Sequence, residues 1–304
     1  MLPRKPLLFN GPVFREGYKE AVEFVKRADL RTIQIDEIKT ALNEVLSAYG
    51  VYAKSIRPGQ HLFRAMKHKS QEEELFPNLS RIYPHPAFLT KLGRANREHQ
   101  PMYYLSGDCA IALHEVRAKP EDVITILECI PRDDSGPMLV PIGIDELLAR
   151  HGVKEGGDFP DTSTRIQDLL KDDEENLLKY WLIDEFVRNE FLKDVADEHE
   201  DEYKITVAIA ELLLSYSIPS RRIDGLAYPT IVGLWTHANI ALAPETFHQL
   251  YEPLACHRIK ITGLLPKLGF SMDTEIGLMT KQIGDDGTIT WPEVSMQEGA
   301  VLGR

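Results

Sequence analysis

The chain has 304 residues, of which 43% are hydrophobic and 27% charged, and its formal net charge is −12. This composition is typical of a globular protein with a sizeable core, and the negative charge argues against a protein that coats nucleic acid or an anionic membrane. Three cysteines without a Cys-x-x-Cys spacing indicate reduced thiols, and no apolar stretch reaches membrane-spanning length. We therefore expect a cytoplasmic protein that does not bind nucleic acid or membrane directly.

The first 57 residues predict a helical N-terminal appendage. After an irregular arm, residues 15–28 and 33–48 have the apolar spacing of two amphipathic helices. Neither helix contains a catalytic pattern. We interpret residues 1–57 as a structural or docking appendage.

The following segment predicts two strands separated by polar, turn-rich residues. Residues 61–68 form the first strand, which carries Arg64. Residues 102–105 form the second, with aromatic and apolar composition. Arg94 and Asn96 lie between them.

A short helix follows the second strand. Ser106-Gly107-Asp108 is a break with good helix-capping residues, and residues 109–117 predict a helix that is apolar on nearly every side. That helix carries Glu115, and a carboxylate on a buried helix requires a partner or a function. Residues 122–130 and 138–144 predict two further strands.

Residues 145–217 predict a helical insertion. Residues 145–151 form a short helical turn, and residues 164–196 and 203–216 have the apolar content of longer helices. The acidic run at 197–202 between them is typical of a solvated helix end or loop.

The strand pattern returns after the insertion. Strands are predicted at 223–232, 239–243 and 258–264, a short helix at 243–251, and a hairpin around Gly284-Asp285-Asp286-Gly287. Pro229 within the first strand indicates an edge, a bulge or a strand end. This order of elements indicates an α+β fold with a mixed β core.

Several familiar motifs are missing from the sequence. It has no GxGxxG, no GxxxxGK[ST], no HExxH and no GxSxG. The ten histidines show no metal-ligand spacing. We predict no metal site.

Some polar residues stand in otherwise apolar elements, and each has an ordinary interpretation. Arg64 fits an exposed strand residue, Arg94 a turn cap, and Tyr104 a core residue with a satisfied hydroxyl. Glu115 fits a surface pair with Lys119 four residues later, and Thr230 an ordinary strand residue.

Together, these residues stand in motifs that resemble the RES domain family, which is named for an arginine, a glutamate and a serine. The motifs are Leu-Phe-Arg-Ala at 62–65, Gly-Arg-x-Asn at 93–96, Pro-Met-Tyr-Tyr-Leu-Ser at 101–106 with the helix that carries Glu115, Asp-Gly-Leu-Ala-Tyr-Pro-Thr at 224–230, and Asn-Ile-Ala-Leu at 239–242. Thr230 stands at the family's serine position and keeps its hydroxyl. The predicted domains are the appendage at 1–57, a RES domain at 58–267 interrupted by the insertion at about 145–217, and a C-terminal hairpin and tail at 268–304.

The resemblance implies an ADP-ribosyltransferase-like fold and an enzyme that consumes NAD+ as its substrate. It implies catalytic roles for Glu115, Arg64 and Thr230, and NAD+-binding roles for Arg64, Arg94, Asn96, Tyr104 and Tyr228. Glu115 would stabilise the oxocarbenium-like transition state, the arginines would bind pyrophosphate, and Tyr104 would stack on nicotinamide.

Three functions stay open at this point. The enzyme cleaves NAD+ by hydrolysis or phosphorolysis, or it transfers ADP-ribose to a macromolecule, or the chain is an inactive binding module in which Thr230 and the insertion mark lost chemistry. Toxin-type members of the family are paired with an antitoxin that carries a helix-turn-helix domain, so the resemblance implies such a partner. The acceptor and any homo-oligomer are not identified by the residues.

Overall fold

A computed structural model describes residues 7–8, 17–49, 52–71, 73–133, 136–144, 173–196, 199–218, 221–230, 237–264 and 272–292. These residues form a mixed α+β protein, which confirms the predicted fold class. Among them, no helix combines the length and apolar character needed to cross a bilayer. The predicted helical turn at 145–151 and the start of the helix predicted from 164 lie outside the described residues.

The helices lie where the apolar periodicity predicts them. They are α1 Tyr18–Arg27, α2 Ile35–Ala48, α3 Cys109–Glu115, α4 Glu174–Phe191, α5 Tyr203–Ser215 and α6 Pro244–Leu250. The predicted start of α3 is confirmed, because the Asp108 side chain accepts hydrogen bonds from the main-chain N–H groups of Ala110 and Ile111.

The predicted strands are present, several of them with different lengths. They are β1 Leu7–Leu8, β2 Tyr52–Ser55, β3 Leu62–Lys67, β4 Tyr103–Ser106, β5 Val123–Pro131, β6 Met138–Pro141, β7 Ser217–Ile218, β8 Arg221–Arg222, β9 Gly225–Pro229, β10 Ala238–Leu242, β11 Tyr251–Leu264 and β12 Met272–Thr280. The short strands β1, β2, β7 and β8 were not predicted. Pro229 is the last residue of β9, which agrees with the strand end that was one of the three predicted alternatives. The strand β11 begins at Tyr251 rather than 258, because a register shift between Pro253 and Ala255 lets it continue past a proline.

The main sheet has the strand order β1-β2-β6-β9-β10-β4-β3-β5-β11-β12, with β7 and β8 paired separately. Among its described pairs, β6 and β9 run parallel and the others antiparallel. The predicted turn in the C-terminal hairpin is confirmed, because the Gly287 N–H donates to the Gly284 carbonyl and Ile283 bridges Ile289.

The N-terminal helices and the helices of the insertion pack on one face of this sheet. Buried side chains of α2, α4 and α5 share one apolar cluster with Leu226 and Ala241 of the sheet. The strand β2 pairs with β6, so residues before 57 also contribute to the sheet. The division of the chain at residues 57 and 267 stays a prediction.

Candidate functional site

A cavity opens where two neighbouring strands of the sheet separate. The strands β3 and β4 are registered at one pair, Phe63 and Ser106. Beyond that pair, residues 64–66 and 104–105 line a cavity of about 350 Å³. This volume lies within the usual range of small-molecule sites, about 300–1,000 Å³.

One row of paired residues across the sheet contributes to the cavity wall. Tyr228 of β9 is paired with Asn239 of β10, Asn239 with Ser106 of β4, and Ser106 with Phe63 of β3. Directly paired residues on adjacent strands point to the same face of a sheet. The row therefore presents all four side chains to the cavity, which they line.

Glu115 faces this row from the last residue of α3. Its Oε1 accepts a hydrogen bond of 2.7 Å from Asn239 Nδ2, and Asn239 Oδ1 accepts one of 2.9 Å from Ser106 Oγ. Glu115 is an exposed residue and also lines the cavity. Protein packed against its carboxyl group nevertheless raises the pKa of Glu115 by desolvation, while the hydrogen bond from Asn239 opposes the rise. No ion pair joins Glu115 to Lys119 within the described residues, so the surface-pair interpretation of Glu115 is not supported.

Arg64 bridges the gap between the separating strands. Its Nε donates to the Ile82 carbonyl at 2.8 Å, and its Nη1 donates to the Tyr104 carbonyl at 3.1 Å. The guanidinium carbon lies 5.9 Å from the centre of the Tyr103 ring, and burial lowers the pKa of Arg64. Its Nη2 has no hydrogen-bond partner among the described residues, so this group is available to a ligand.

Arg94, which lines the cavity, is hydrogen-bonded to the helical insertion. Its Nη1 and Nη2 donate to the carbonyl oxygens of Phe191 and Lys193 at 2.6 and 2.8 Å, at the C-terminal end of α4. A cation is favourable at that end of a helix because the last carbonyl groups lack intrahelical partners. Each terminal nitrogen thus uses one of its two N–H groups on a main-chain oxygen, so a pyrophosphate bound by Arg94 has to use the remaining N–H groups or displace these oxygens.

Asn96 supports Tyr104 rather than the cavity itself. The Tyr104 hydroxyl donates to Asn96 Oδ1 at 2.7 Å and accepts a hydrogen bond from the Ala95 N–H at 2.8 Å. A Cβ at Gly93 would overlap Asn96 Oδ1 and lie 2.9 Å from the Tyr104 hydroxyl. A side chain at position 93 would therefore displace Asn96 or Tyr104 from this arrangement, which holds the Tyr104 ring against the cavity. Asn96 is outside the described lining.

Two predicted site residues, Tyr228 in β9 and Thr230 immediately after it, differ in their relation to the cavity. Tyr228 is 2% exposed, lines the cavity, and packs on the Phe191 ring with centroids 5.2 Å apart. Thr230 is buried but does not belong to the described lining. It follows the end of β9, two residues beyond the row that contains Asn239.

The structure adds Tyr203, Asn239 and Ser106 to the predicted site residues. Tyr203 is the first residue of α5, and its ring lies 5.6 Å from the Arg94 guanidinium carbon. Asn239 is a buried amide in an apolar strand, and that contrast marks it in the sequence. No local pattern marks Tyr203, because it reaches the site from the insertion.

The cavity thus combines one carboxylate, two guanidinium groups and three tyrosine rings. Such a set suits a ligand with a planar ring, a developing positive charge and an anionic group. Among the described residues, no group of three or more His, Cys, Asp and Glu side chains is arranged to hold a metal ion. Comparisons with protein-family models, curated proteins and solved structures found no match to this chain.

Proposed function

We propose that the chain is a RES-type enzyme that cleaves the nicotinamide–ribose bond of NAD+. The supporting observation is the convergence of Glu115, Arg64, Tyr104 and Tyr228 in one cavity, although they come from four separate elements. Arg94 lines the same cavity and orders its wall.

The proposed reaction begins with departure of nicotinamide. The C1′–N1 bond breaks, its electron pair returns to the nicotinamide ring, and the positive charge moves to the ribose as an oxocarbenium ion. Glu115 stabilises that charge through its carboxylate, as acidic residues do in glycoside cleavage. The tyrosine rings pack against the planar nicotinamide, and Arg64 Nη2 binds a phosphate oxygen.

In this proposal the acceptor reaches the ribose from the side of Glu115, which is exposed to solvent. Water gives ADP-ribose, nicotinamide and a proton. Hydrogen phosphate attacks through one of its oxygens and gives the ADP-ribose phosphate ester, nicotinamide and a proton. Both acceptors use the same cavity, so product analysis with and without phosphate distinguishes them.

The test is NAD+ consumption by the purified chain, with products separated by chromatography. Glu115→Gln keeps the size of the side chain and removes its charge, and it is expected to slow NAD+ loss by roughly 100-fold or more. Glu74→Gln is the matched control, because Glu74 is exposed and outside the described lining of the cavity. An active wild type whose Glu115→Gln variant keeps the full rate contradicts the assignment of Glu115.

A second candidate, an inactive NAD+-binding or ligand-binding module, is favoured by two observations: two N–H groups of Arg94 bind main-chain oxygens, and Thr230 is outside the described lining of the cavity. It predicts that NAD+ raises the melting temperature without being consumed. Transfer of labelled ADP-ribose to a macromolecule, with little free ADP-ribose, would instead identify a transferase.

The toxin role belongs to the same proposal, together with an antitoxin of the helix-turn-helix class. Expression of the wild-type chain is expected to lower cellular NAD+, whereas expression of Glu115→Gln is not. Co-expression of the antitoxin is expected to restore NAD+.

A further inference from the structure

We propose that Asn239 is a positioning residue that holds the Glu115 carboxylate in place, and that Ser106 orients the Asn239 amide for this role. The inference rests on the proposed function for the catalytic role of Glu115. It goes further by assigning the device that fixes this side chain. That device is a relay of three side chains from β4, β10 and α3, here called the Ser106–Asn239–Glu115 relay.

The base of the relay is rigid. Asn239 and Ser106 are 3% and 2% exposed and are directly paired on adjacent strands. Asn239 is also paired with Tyr228 on its other side, so its main chain lies inside the sheet. A side chain mounted there is held more precisely than one on a loop.

The direction of the two hydrogen bonds is fixed by charge. Ser106 Oγ donates to Asn239 Oδ1, and Asn239 Nδ2 donates to Glu115 Oε1. If the amide were turned over, two acceptor oxygens would face each other at the 2.7 Å contact with Glu115. A charged carboxylate disfavours that arrangement, so it selects one orientation of the amide, and the hydrogen bond from Asn239 favours the ionised form of Glu115 against the opposing effect of desolvation.

Asn239 is also the one hydrogen-bond donor to Glu115 among the described residues. Glu115 has a long, flexible side chain at the exposed end of a helix. Holding this side chain in one conformation costs entropy, which a hydrogen bond has to offset. Other groups act on Glu115 electrostatically, without a hydrogen bond to it among the described residues. Arg94 and His114 favour its charged form, Asp194 opposes it, and the phenols of Tyr203 and Tyr228 are electrostatically coupled to it.

The first test follows the Glu115 carboxyl group directly. Carboxyl carbons of glutamate are labelled with 13C, the Glu115 signal is assigned as the one absent in Glu115→Gln, and its chemical shift is titrated with pH. Removing a hydrogen bond to a charged group is expected to raise the midpoint in Asn239→Ala by about one pH unit. Ser106→Ala is expected to raise the midpoint by a smaller amount, because the Asn239 donor remains but Ser106 no longer fixes the orientation of its amide.

The control is Thr125→Ala, which removes another buried hydroxyl of the sheet. Thr125 is fully buried and hydrogen-bonded to His68 Nε2 at 2.8 Å. It is expected to leave the Glu115 midpoint unchanged. Far-ultraviolet circular dichroism establishes that each variant is folded before its titration is interpreted.

The second test measures the pH dependence of kcat/KM for NAD+ loss. In Asn239→Ala the acidic limb is expected to move to higher pH by the same amount as the carboxyl titration, with a lower kcat at the plateau. An unchanged midpoint in folded Asn239→Ala overturns the inference. If the wild type consumes no NAD+, the proposed function fails, and the carboxyl titration still decides whether Asn239 holds Glu115.

Discussion

Arg97 links the turn that precedes β4 to the helices on the face of the sheet. Its Nε and Nη2 donate to the two carboxylate oxygens of Glu211 on α5 at 2.5 and 2.9 Å, and its Nη2 also contacts Asp36 of α2 at 2.7 Å. Lys39 of α2 binds Glu211 at 2.7 Å. The side chains of Arg97 and Glu211 are 27% and 23% exposed, so solvent screens them only in part.

The coupling energy between Arg97 and Glu211 follows from this geometry. Two unit charges about 4 Å apart attract by about 4 kcal/mol at an effective dielectric constant of about 20. Ordering two long side chains and partial screening by solvent remove about half of this. We expect a coupling of about 2 kcal/mol in a double-mutant cycle of Arg97→Met and Glu211→Gln, measured by urea unfolding.

The matched control is a second arginine–glutamate pair. Arg132 and Glu252 are 2.9 Å apart, but their side chains are 47% and 44% exposed. Their coupling is expected to stay below about 1 kcal/mol, as for ordinary surface pairs. An Arg97–Glu211 coupling below about 0.5 kcal/mol would refute the reasoning, because the pair would then behave as an exposed contact.

Three further predictions concern other parts of the chain. Burial alone would raise the pKa of Glu128, but hydrogen bonds with His61 and His257 outweigh it and hold this pKa below its usual range. The resulting stabilisation is present above about pH 4.3 and is lost as pH falls through the folded pKa, so acid should destabilise the wild type more than Glu128→Gln in urea unfolding. A Cβ at Gly225 would overlap a main-chain oxygen of β10, so Gly225→Ala should lower the free energy of unfolding by about 1–3 kcal/mol, and no change in urea unfolding would contradict that overlap. Burial raises the pKa of the Cys109 thiol to about 12, so alkylation at pH 8 should be slow until denaturant is added, and rapid labelling of the native protein would show the thiol to be accessible.

The elements around the site were predictable because their signals are local. Asp108 lies immediately before an apolar run, and its side chain caps α3 as predicted. The aromatic run before it forms β4, and Pro229 ends β9. Each of these outcomes depends on the chemistry of a few neighbouring residues.

The connections within the site were not predictable in this way. Arg94 binds main-chain oxygens at the end of α4, and main-chain oxygens leave no pattern in a sequence. Tyr203 enters the cavity from a helix about 100 residues beyond its neighbours on β4. The strand β2 was missed because its four residues have a partner, β6, more than 80 residues away.

The place of β10 in the sheet has a consequence for synthesis of the chain on the ribosome. This strand lies between β9 and β4 and joins the part of the sheet that contains β2 and β6 to the part that contains β3 and β5. The strand β10 ends at Leu242, so the two parts of the sheet cannot join until the ribosome has reached that residue. By then β2, at residues 52–55, has long been made. At about 5–20 residues per second, the interval between the completion of β2 and that of β10 is roughly 10–40 s. For most of this time, from the completion of β4 at Ser106 until β10 is made, the exposed edge of β4 is open to chaperones and to pairing with other chains, whereas β9 is made only shortly before β10.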